Sequence, residues 1–287
     1  MIVISGSASP KLSLRVAKRL KCKLIKPEMS SFPDGENYTR IDADLKGEHV
    51  LVVQSTCYPQ NDNLIELCFL IGAVKNLGAE RITAFVPYLA YARQDKQFKP
   101  GEAISIHTVC KLIEATGATN FVTVDAHHEE IMRNFSIPAY NLTAMPLLGR
   151  YLSKLKLKDP VVLGADKGAI ERARHVALEM EVEYDYLEKK RITPEKVVIR
   201  PKRLDLVNRD VVIVDDIIST GWTIVEAAKM LKHQEARRIY TACTHPVFVG
   251  NALRRIRTAG VKKVVTTDTI ERKESVVSVA SLISNVI

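Results

Sequence analysis

Two carboxylates side by side, Asp215 and Asp216, close an apolar run, Val211-Val-Ile-Val214, and are followed by Ile217-Ile-Ser-Thr-Gly-Trp-Thr223. A strand that ends in acids and bends through Ser219, Thr220, Gly221, Trp222 and Thr223 into a helix offers two kinds of chemistry. Backbone N–H groups and hydroxyls at a helix N-terminus form an anion site. The two acids can accept hydrogen bonds from vicinal sugar hydroxyls. One carboxylate after a strand is commonly no more than a helix cap. A pair of them before Ser-Thr-Gly-x-Thr makes a ligand site the stronger reading.

Four further segments carry polar groups at strand or turn positions. Ser31-Phe-Pro-Asp-Gly-Glu36 puts an aromatic ring and two carboxylates on a turn. Tyr88-Leu-Ala-Tyr-Ala-Arg-Gln-Asp-Lys96 presents Arg93, Gln94, Asp95 and Lys96 after a strand. Val124-Asp-Ala-His-His128 and Leu163-Gly-Ala-Asp-Lys-Gly168 each end another. The densest run of cations lies in Glu188–Arg203: Lys189, Lys190, Arg191, Lys196, Arg200, Lys202 and Arg203.

These groups need elements to hold them. β-branched runs predict strands at Ile2–Ser5, Val50–Gln54, Ile82–Val86, Phe121–Asp125, Val161–Leu163, Val211–Val214, Ile239–Thr244 and Val264–Thr267. Helical spacing predicts Leu64–Leu77, with Asn63 as its N-cap, and Ile104–Ala115, Met145–Leu157, Gly168–Met180 and Thr223–Lys232. Continuous apolar strands alternating with helices indicate parallel sheets covered on both faces. In such sheets ligands bind beyond the carboxyl ends of the strands, where the motifs above fall. A length of 287 residues suits two domains, and Pro138 and Pro146 bracket a turn-prone boundary. Phe121-Val-Thr-Val-Asp125 echoes Val211-Val-Ile-Val-Asp215, which hints at two related lobes.

The Asp215–Thr223 segment resembles the phosphoribosyl-diphosphate signature of type I phosphoribosyltransferases, whose acidic pair holds the ribose 2- and 3-hydroxyls while the turn cradles the 5-phosphate. Two residues depart from it. Trp222 stands where a small residue, often Gly, is usual, and Ser219 replaces the commoner Asp. A side chain as large as Trp222 fits only if it points away from the phosphate. Taken with FPDGE, YARQDK and DAHH in this order, the chain resembles the ribose-phosphate diphosphokinase family nearly throughout, from the Gly6 turn to at least Thr223.

That resemblance implies an α/β fold of two type I phosphoribosyltransferase-like lobes, each a mostly parallel sheet flanked by helices. Residues 1–142 would form the ATP side and 143–287 the ribose 5-phosphate side. The last helix would stay with the second lobe or pack back on the first. It implies adenine stacking by Phe32, with polar contacts from Asp34 and Glu36, and ATP contacts from Arg93, Gln94, Asp95, Lys96 and His127. Arg93 would meet polyphosphate oxygens in a fork that Lys cannot copy. His127 and Asp166 align with residues that contact Mg²⁺, the implied cofactor. Imidazole is unusual for this ion, so His127 either ligates it or holds a metal-bound water. Consecutive extended residues point opposite ways, so only one of His127 and His128 is expected to reach the site. Glu188-Lys-Lys-Arg191 resembles a flexible catalytic loop, which implies catalytic roles for Lys189 and Arg191. Pro194 breaks any helix there, so a mobile lid is expected. The implied partners are ATP and ribose 5-phosphate as substrates, and further copies of the chain in a homodimer or higher homo-oligomer.

Composition narrows the alternatives. Apolar residues are 46% and charged residues 26%, ordinary for a globular protein and far from disorder. No apolar run approaches the ~18 residues of a membrane span. Met1-Ile-Val-Ile-Ser-Gly6 reads as a first strand rather than a signal peptide. Five scattered cysteines without a C-x-x-C pair read as reduced thiols in a cytoplasm rather than a disulfide framework or zinc site. The net charge of +9 suits nucleic acid or a small polyanion. Aromatics are only 6% and do not interleave the basic run, which coincides with the expected lid, so no nucleic-acid partner and no membrane partner are expected. A salvage phosphoribosyltransferase would lack the first lobe, and a catalytically dead regulatory subunit would be expected to lack Lys189 and Arg191.

Overall fold

The structure is a computed structural model that describes residues 1–191, 197–200 and 205–287. The chain divides into two compact units. One comprises Met1–Thr143 with Thr269–Glu271 and Ser278–Ile287; the other comprises Ala144–Asp268 with Arg272–Val277.

The first unit runs β1 (Ile2–Ser5), α1 (Pro10–Leu20), β2 (Lys23–Ile25), β3 (Glu28–Ser31), β4 (Asn37–Arg40), β5 (His49–Val53), α2 (Gln60–Asn76), β6 (Arg81–Val86), α3 (Ser105–Ala115), β7 (Asn120–Val124) and β8 (Ala139–Leu142). Six of these strands form a parallel sheet in the order β2-β1-β5-β6-β7-β8, and β3 and β4 pair as a separate antiparallel hairpin. Leu67, Leu70, Ile71 and Val74 of α2 are fully buried against this sheet's core. Each such side chain contributes about 1.5–3 kcal/mol on leaving water.

The second unit runs α4 (Met145–Leu152), β9 (Val161–Gly164), α5 (Ile170–Met180), β10 (Glu183–Tyr186), β11 (Glu188–Arg191), β12 (Val197–Arg200), β13 (Asp210–Ile218), α6 (Trp222–His233), β14 (Arg238–Pro246), α7 (Ala252–Thr258), β15 (Val261–Thr267) and β16 (Ser275–Val277). Its sheet is also parallel, in the order β10-β9-β13-β14-β15-β16, and β11 and β12 again form a separate antiparallel pair. Successive strand residues face opposite sides. Val211 and Ile213 join the core under α6 and α7, whereas Val212 and Val214 join the core under α4 and α5. That parity decides where the two acids at the end of β13 are aimed.

Both sheets read second, first, third, fourth, fifth, sixth strand of their unit, with a hairpin between the second and third. The duplication therefore matches β5, not β7, to β13. The similarity of Phe121–Asp125 to Val211–Asp215 is local: any buried parallel strand that ends in an acid at the carboxyl edge produces it.

Two local expectations are corrected, and one helix goes beyond them. The helix expected from Leu64 begins at Gln60, so Asn63 is inside its first turn and donates to the Cys57 carbonyl at 2.8 Å instead of capping. The helix expected over Met145–Leu157 ends at Leu152 and continues only as a 3₁₀ turn, Ser153–Leu155. Helix α1 was not expected, although Pro10 stands at its first turn and Leu12, Val16 and Ala17 form its buried stripe.

Candidate active site

In the second unit, β13 continues past Val214 into Asp215 and Asp216. The parity of the strand sends Asp216 to the α5 face, where Arg172 Nη2 lies 3.4 Å from its carboxylate. Asp216 is 3% exposed, and its N–H donates to Asp215 Oδ1 at 2.9 Å. Asp215 takes the other face, toward α6 and α7. Burial pushes its carboxyl well above the usual range, and the charges of Asp216 and Asp166 push it further. Asp166 is close for a simple reason. The register pairs Val214 with Gly164, and Ala165 N donates to the Val214 carbonyl at 3.0 Å, so the chain leaves β9 beside the acids. Cys243, opposite Asp215 on β14, is fully buried, and desolvation first and Asp215 second raise its thiol. It therefore stays neutral behind the acids.

The turn that follows is pinned from one side. Phe248 N donates to the Ile218 carbonyl at 3.0 Å, Val249 N to the Ser219 carbonyl at 3.0 Å, and Arg255 Nη2 to the Thr220 carbonyl at 2.8 Å. In a trans peptide the carbonyl of one residue and the N–H of the next point to opposite sides. Three carbonyls drawn toward residues 248–255 thus turn the N–H groups of Ser219, Thr220 and Gly221 the other way. Gly221 is the N-cap of α6, at φ +79°, and carries no side chain to cap the first-turn N–H groups. A Cβ there would sit 3.0 Å from Ile256 Cδ1, so the turn lies hard against α7. The result is a concave set of amides at a helix N-terminus beside two acids, suited to an anion that also carries hydroxyls. Trp222 lies on the carbonyl side, its ring 5.0 Å from the Arg255 guanidinium. It points away from the amides, as its size requires.

In the first unit, Phe32, Asp34 and Glu36 occupy the β3–β4 turn. Gly35 N donates to the Phe32 carbonyl at 2.9 Å, Phe32 N to the Glu36 carbonyl at 2.8 Å, and Glu36 N to Asp34 Oδ1 at 3.2 Å. Phe32 is 51% exposed, with its ring edge-on to Tyr38 at 5.8 Å. Arg93, Gln94, Asp95 and Lys96 follow β6 on an irregular segment that Gln94 N anchors to the Tyr91 carbonyl at 3.0 Å. Arg93 and Lys96 are exposed, and Lys96 Nζ stands 5.5 Å from the Phe98 ring. Asp95 lies 3.5 Å from His128 Nε2. The two histidines do not diverge. Their rings meet edge to face at 4.6 Å, beyond the end of β7 at Val124. That contact between the rings is not the divergence expected of two consecutive extended residues.

Lys189 and Arg191 occupy strand positions opposite Ile199 and Val197. Their side chains, and residues 192–196 of the expected lid, lie outside the described residues. Among the described residues no group of three or more His, Cys, Asp or Glu is arranged to hold a metal ion. His127 and Asp166 fall in different units. Two residues at the second-unit site escaped sequence reasoning, Arg172 and Arg255. Both lie in helices without a motif, and only the strand parity and the packing of α7 bring them in.

A family model for the N-terminal domain of ribose phosphate pyrophosphokinase matches residues 1–117, and one for the phosphoribosyl transferase domain matches residues 137–282. The chain is 47% identical to a ribose-phosphate pyrophosphokinase of Methanothermobacter thermautotrophicus over 285 residues, covering 99% of each. It is 43% identical to that of Methanopyrus kandleri over 98% of this chain and 96% of the relative. The fold superposes on the crystal structure of a phosphoribosylpyrophosphate synthetase from Mycobacterium smegmatis with a TM-score of 0.88 at 30% identity, covering 99% of this chain and 96% of the other.

Proposed function

The chain belongs to the ribose-phosphate pyrophosphokinase family and is an enzyme of nucleotide biosynthesis, and from that premise we propose which of its residues carry the reaction. The reaction passes the β,γ-diphosphoryl group of ATP to the anomeric hydroxyl of ribose 5-phosphate, giving 5-phosphoribosyl 1-diphosphate and AMP. Such transfer depends on alignment and on stabilising shifted charge rather than on protein covalency.

Ribose 5-phosphate binds at the second unit. Asp215 and Asp216 accept from its 2- and 3-hydroxyls, and Ser219, Thr220, Gly221, Trp222 and Thr223 hold its 5-phosphate through backbone N–H groups and hydroxyls. The observation that carries this reading is the row of three carbonyls, of Ile218, Ser219 and Thr220, all bonded on one side. It leaves the amides of the turn facing the acids' ligand. ATP binds at the first unit. The exposed Phe32 stacks on adenine, Asp34 and Glu36 meet its polar edge, and Arg93, Gln94, Asp95, Lys96 and His127 meet the rest of the nucleotide. Lys189 and Arg191 stabilise the β-phosphoryl group as charge moves to the departing AMP oxygen.

The family is in general Mg²⁺-dependent, and the donor chemistry here fits that ion. Burial first, and then the negative charges of Asp216 and Asp166, raise the carboxyl of Asp215, and a divalent cation would relieve that crowding of charge. Mg²⁺ needs only one or two protein ligands when phosphates and water complete its shell. Asp166 in the second unit and His127 in the first are each proposed as Mg²⁺ contacts, and a bound ion would neutralise polyphosphate charge. The remaining partners are further copies of the chain, in a homodimer or higher homo-oligomer, and a cytoplasmic setting is proposed. No helix among the described residues is long and apolar enough to cross a membrane.

The test is an assay of AMP release from ATP. Release that requires both ribose 5-phosphate and Mg²⁺, and that Asp215→Asn or Thr223→Val shifts toward higher sugar-phosphate concentration, supports the assignment. Variants that leave the KM for ribose 5-phosphate unchanged remove the second-unit turn from it.

A further inference from the structure

Helix α7 carries a cation that the reaction chemistry does not call for. Arg255 belongs to none of the motifs, yet its side chain reaches the turn on two counts. Its Nη2 donates to the Thr220 carbonyl at 2.8 Å, and its guanidinium lies over the Trp222 ring at 5.0 Å from the centroid. Its Nε is buried and finds no acceptor among the described residues, so indole and carbonyl are what hold the group in place. The indole in turn lines an open groove of about 460 Å³ between α6 and α7, with Val225, Lys229, Arg254 and Ala259. Trp222, the residue that departs from the small one usual in this signature, thus has a partner on α7.

This arrangement acts on the ligand through one peptide plane. The Thr220 carbonyl is the third of the pinned row and the only one held by a side chain; Ile218 and Ser219 are held by backbone N–H groups. A backbone clamp survives any substitution but proline, whereas a side-chain clamp does not. Without Arg255 the Thr220–Gly221 peptide loses the bond that sets its orientation, and Gly221, which has no Cβ, tolerates many alternatives. The N–H of Gly221 would then no longer be held toward the phosphate.

We propose that Arg255 is a positioning residue for ribose 5-phosphate: clamped on the Trp222 indole, it fixes the Thr220–Gly221 peptide so that the turn's amides are set before the sugar phosphate arrives. The proposal rests on the reading of Ser219–Thr223 as the 5-phosphate turn. Pre-organisation of a binding loop lowers the ordering that binding must otherwise impose. Its loss falls on affinity for one substrate and not on the diphosphoryl transfer step.

The experiment compares Arg255→Met and Arg255→Lys with the parent enzyme in steady-state kinetics, varying each substrate. Arg255→Met keeps the stem and removes both the donor and the charge. It is expected to raise the KM for ribose 5-phosphate about tenfold, or about 1.4 kcal/mol, while kcat and the KM for ATP stay within about twofold. Arg255→Lys keeps a cation near the indole and a donor near the carbonyl, and is expected to recover part of the loss. If Arg255→Met fails to fold, the lysine variant alone decides, with an expected rise of about threefold. An unchanged KM for ribose 5-phosphate, or an equal loss for both substrates with a lowered melting temperature, overturns the proposal. Thr223→Val separates it from the underlying reading. If this control raises the KM for ribose 5-phosphate and the Arg255 variants do not, only Arg255 loses its role; if neither does, the turn itself is misassigned.

Discussion

Arg172 Nη2 lies 3.4 Å from the carboxylate of Asp216, on the sheet face that Asp215 does not share. Two neighbouring acids thus have unlike surroundings. One is nearly sealed and paired with a guanidinium. The other is aimed at the α6 face, with like charges close by and its carboxyl pushed up by burial.

That asymmetry predicts a trade between stability and binding at position 215. The Asp215 carboxyl, ordinarily near 3.8, is raised in the folded protein. The folded state therefore holds this proton more tightly than the unfolded chain. Its stability falls as pH rises from about 4 through the raised value toward neutrality. Asp215→Asn carries no charge to desolvate. Without substrate or metal, it is expected to melt roughly 2–4 °C above the parent at pH 7, with the gain shrinking as pH is lowered toward 4. The same variant is expected to raise the KM for ribose 5-phosphate at least tenfold, since a charge-assisted hydrogen bond is worth about 1.5–3 kcal/mol. Melting curves across pH check the first effect. A variant less stable at pH 7 than at pH 4, relative to the parent, contradicts it.

Arg191 is expected to matter for turnover and little for binding. A cation that meets charge developing in a diphosphoryl transfer contributes on the order of 10³ in kcat. Arg191→Ala should lose about that much, with KM for each substrate changed only modestly. Lys189→Ala should behave alike. A turnover number that survives either change excludes strand β11 from the chemistry.

Trp222 is the single tryptophan of the chain, so its emission reports on one place. Ribose 5-phosphate alone is expected to change that emission, because the indole is stacked on the arginine that holds the turn. ATP alone should leave it flat. Acrylamide should quench the free enzyme partially, as the residue is half-buried beside an open groove. A flat titration at a sugar-phosphate concentration that calorimetry shows to be saturating would place the ligand elsewhere.

Much of this was legible in the residues, and what was not has definite causes. The eight central strands were visible because strands buried on both faces are continuous apolar runs. The acids of β13 and the Ser219–Thr223 turn were visible because their types are unusual after such a run. Strands β2, β8, β10 and β16 escaped because edge strands are short and part-exposed, as the exposure along Lys23–Ile25, Ala139–Leu142 and Glu183–Tyr186 shows. Arg172 and Arg255 could not be found from spacing, since their partners are 44 and 35 residues away in sequence and the link runs through strand parity and helix packing.

The tie between the two ends of the first unit gives the last prediction. Helix α1 has Pro10 at its first position, which has no N–H to satisfy, and Ser9 as N-cap. Ser9 does not cap: its Oγ accepts from Ser55 N at 2.9 Å instead. The next two N–H groups, of Lys11 and Leu12, both donate to Glu271 Oε1, at 2.8 and 2.9 Å, from 260 and 259 residues away. A carboxylate at a helix N-terminus satisfies orphan donors and meets the positive end of the helix dipole. Glu271 therefore serves as the cap that Ser9 has given up, and it fastens Thr269–Glu271 to the unit that begins the chain. Glu271→Ala is expected to cost about 1–2 kcal/mol. Glu271→Gln, which keeps an acceptor without the charge, should cost less. The local signature is hydrogen exchange at the amides of Lys11 and Leu12, which should speed up in Glu271→Ala more than at the buried amides of α2. Equal protection of those two amides in parent and variant would show that the cap lies elsewhere.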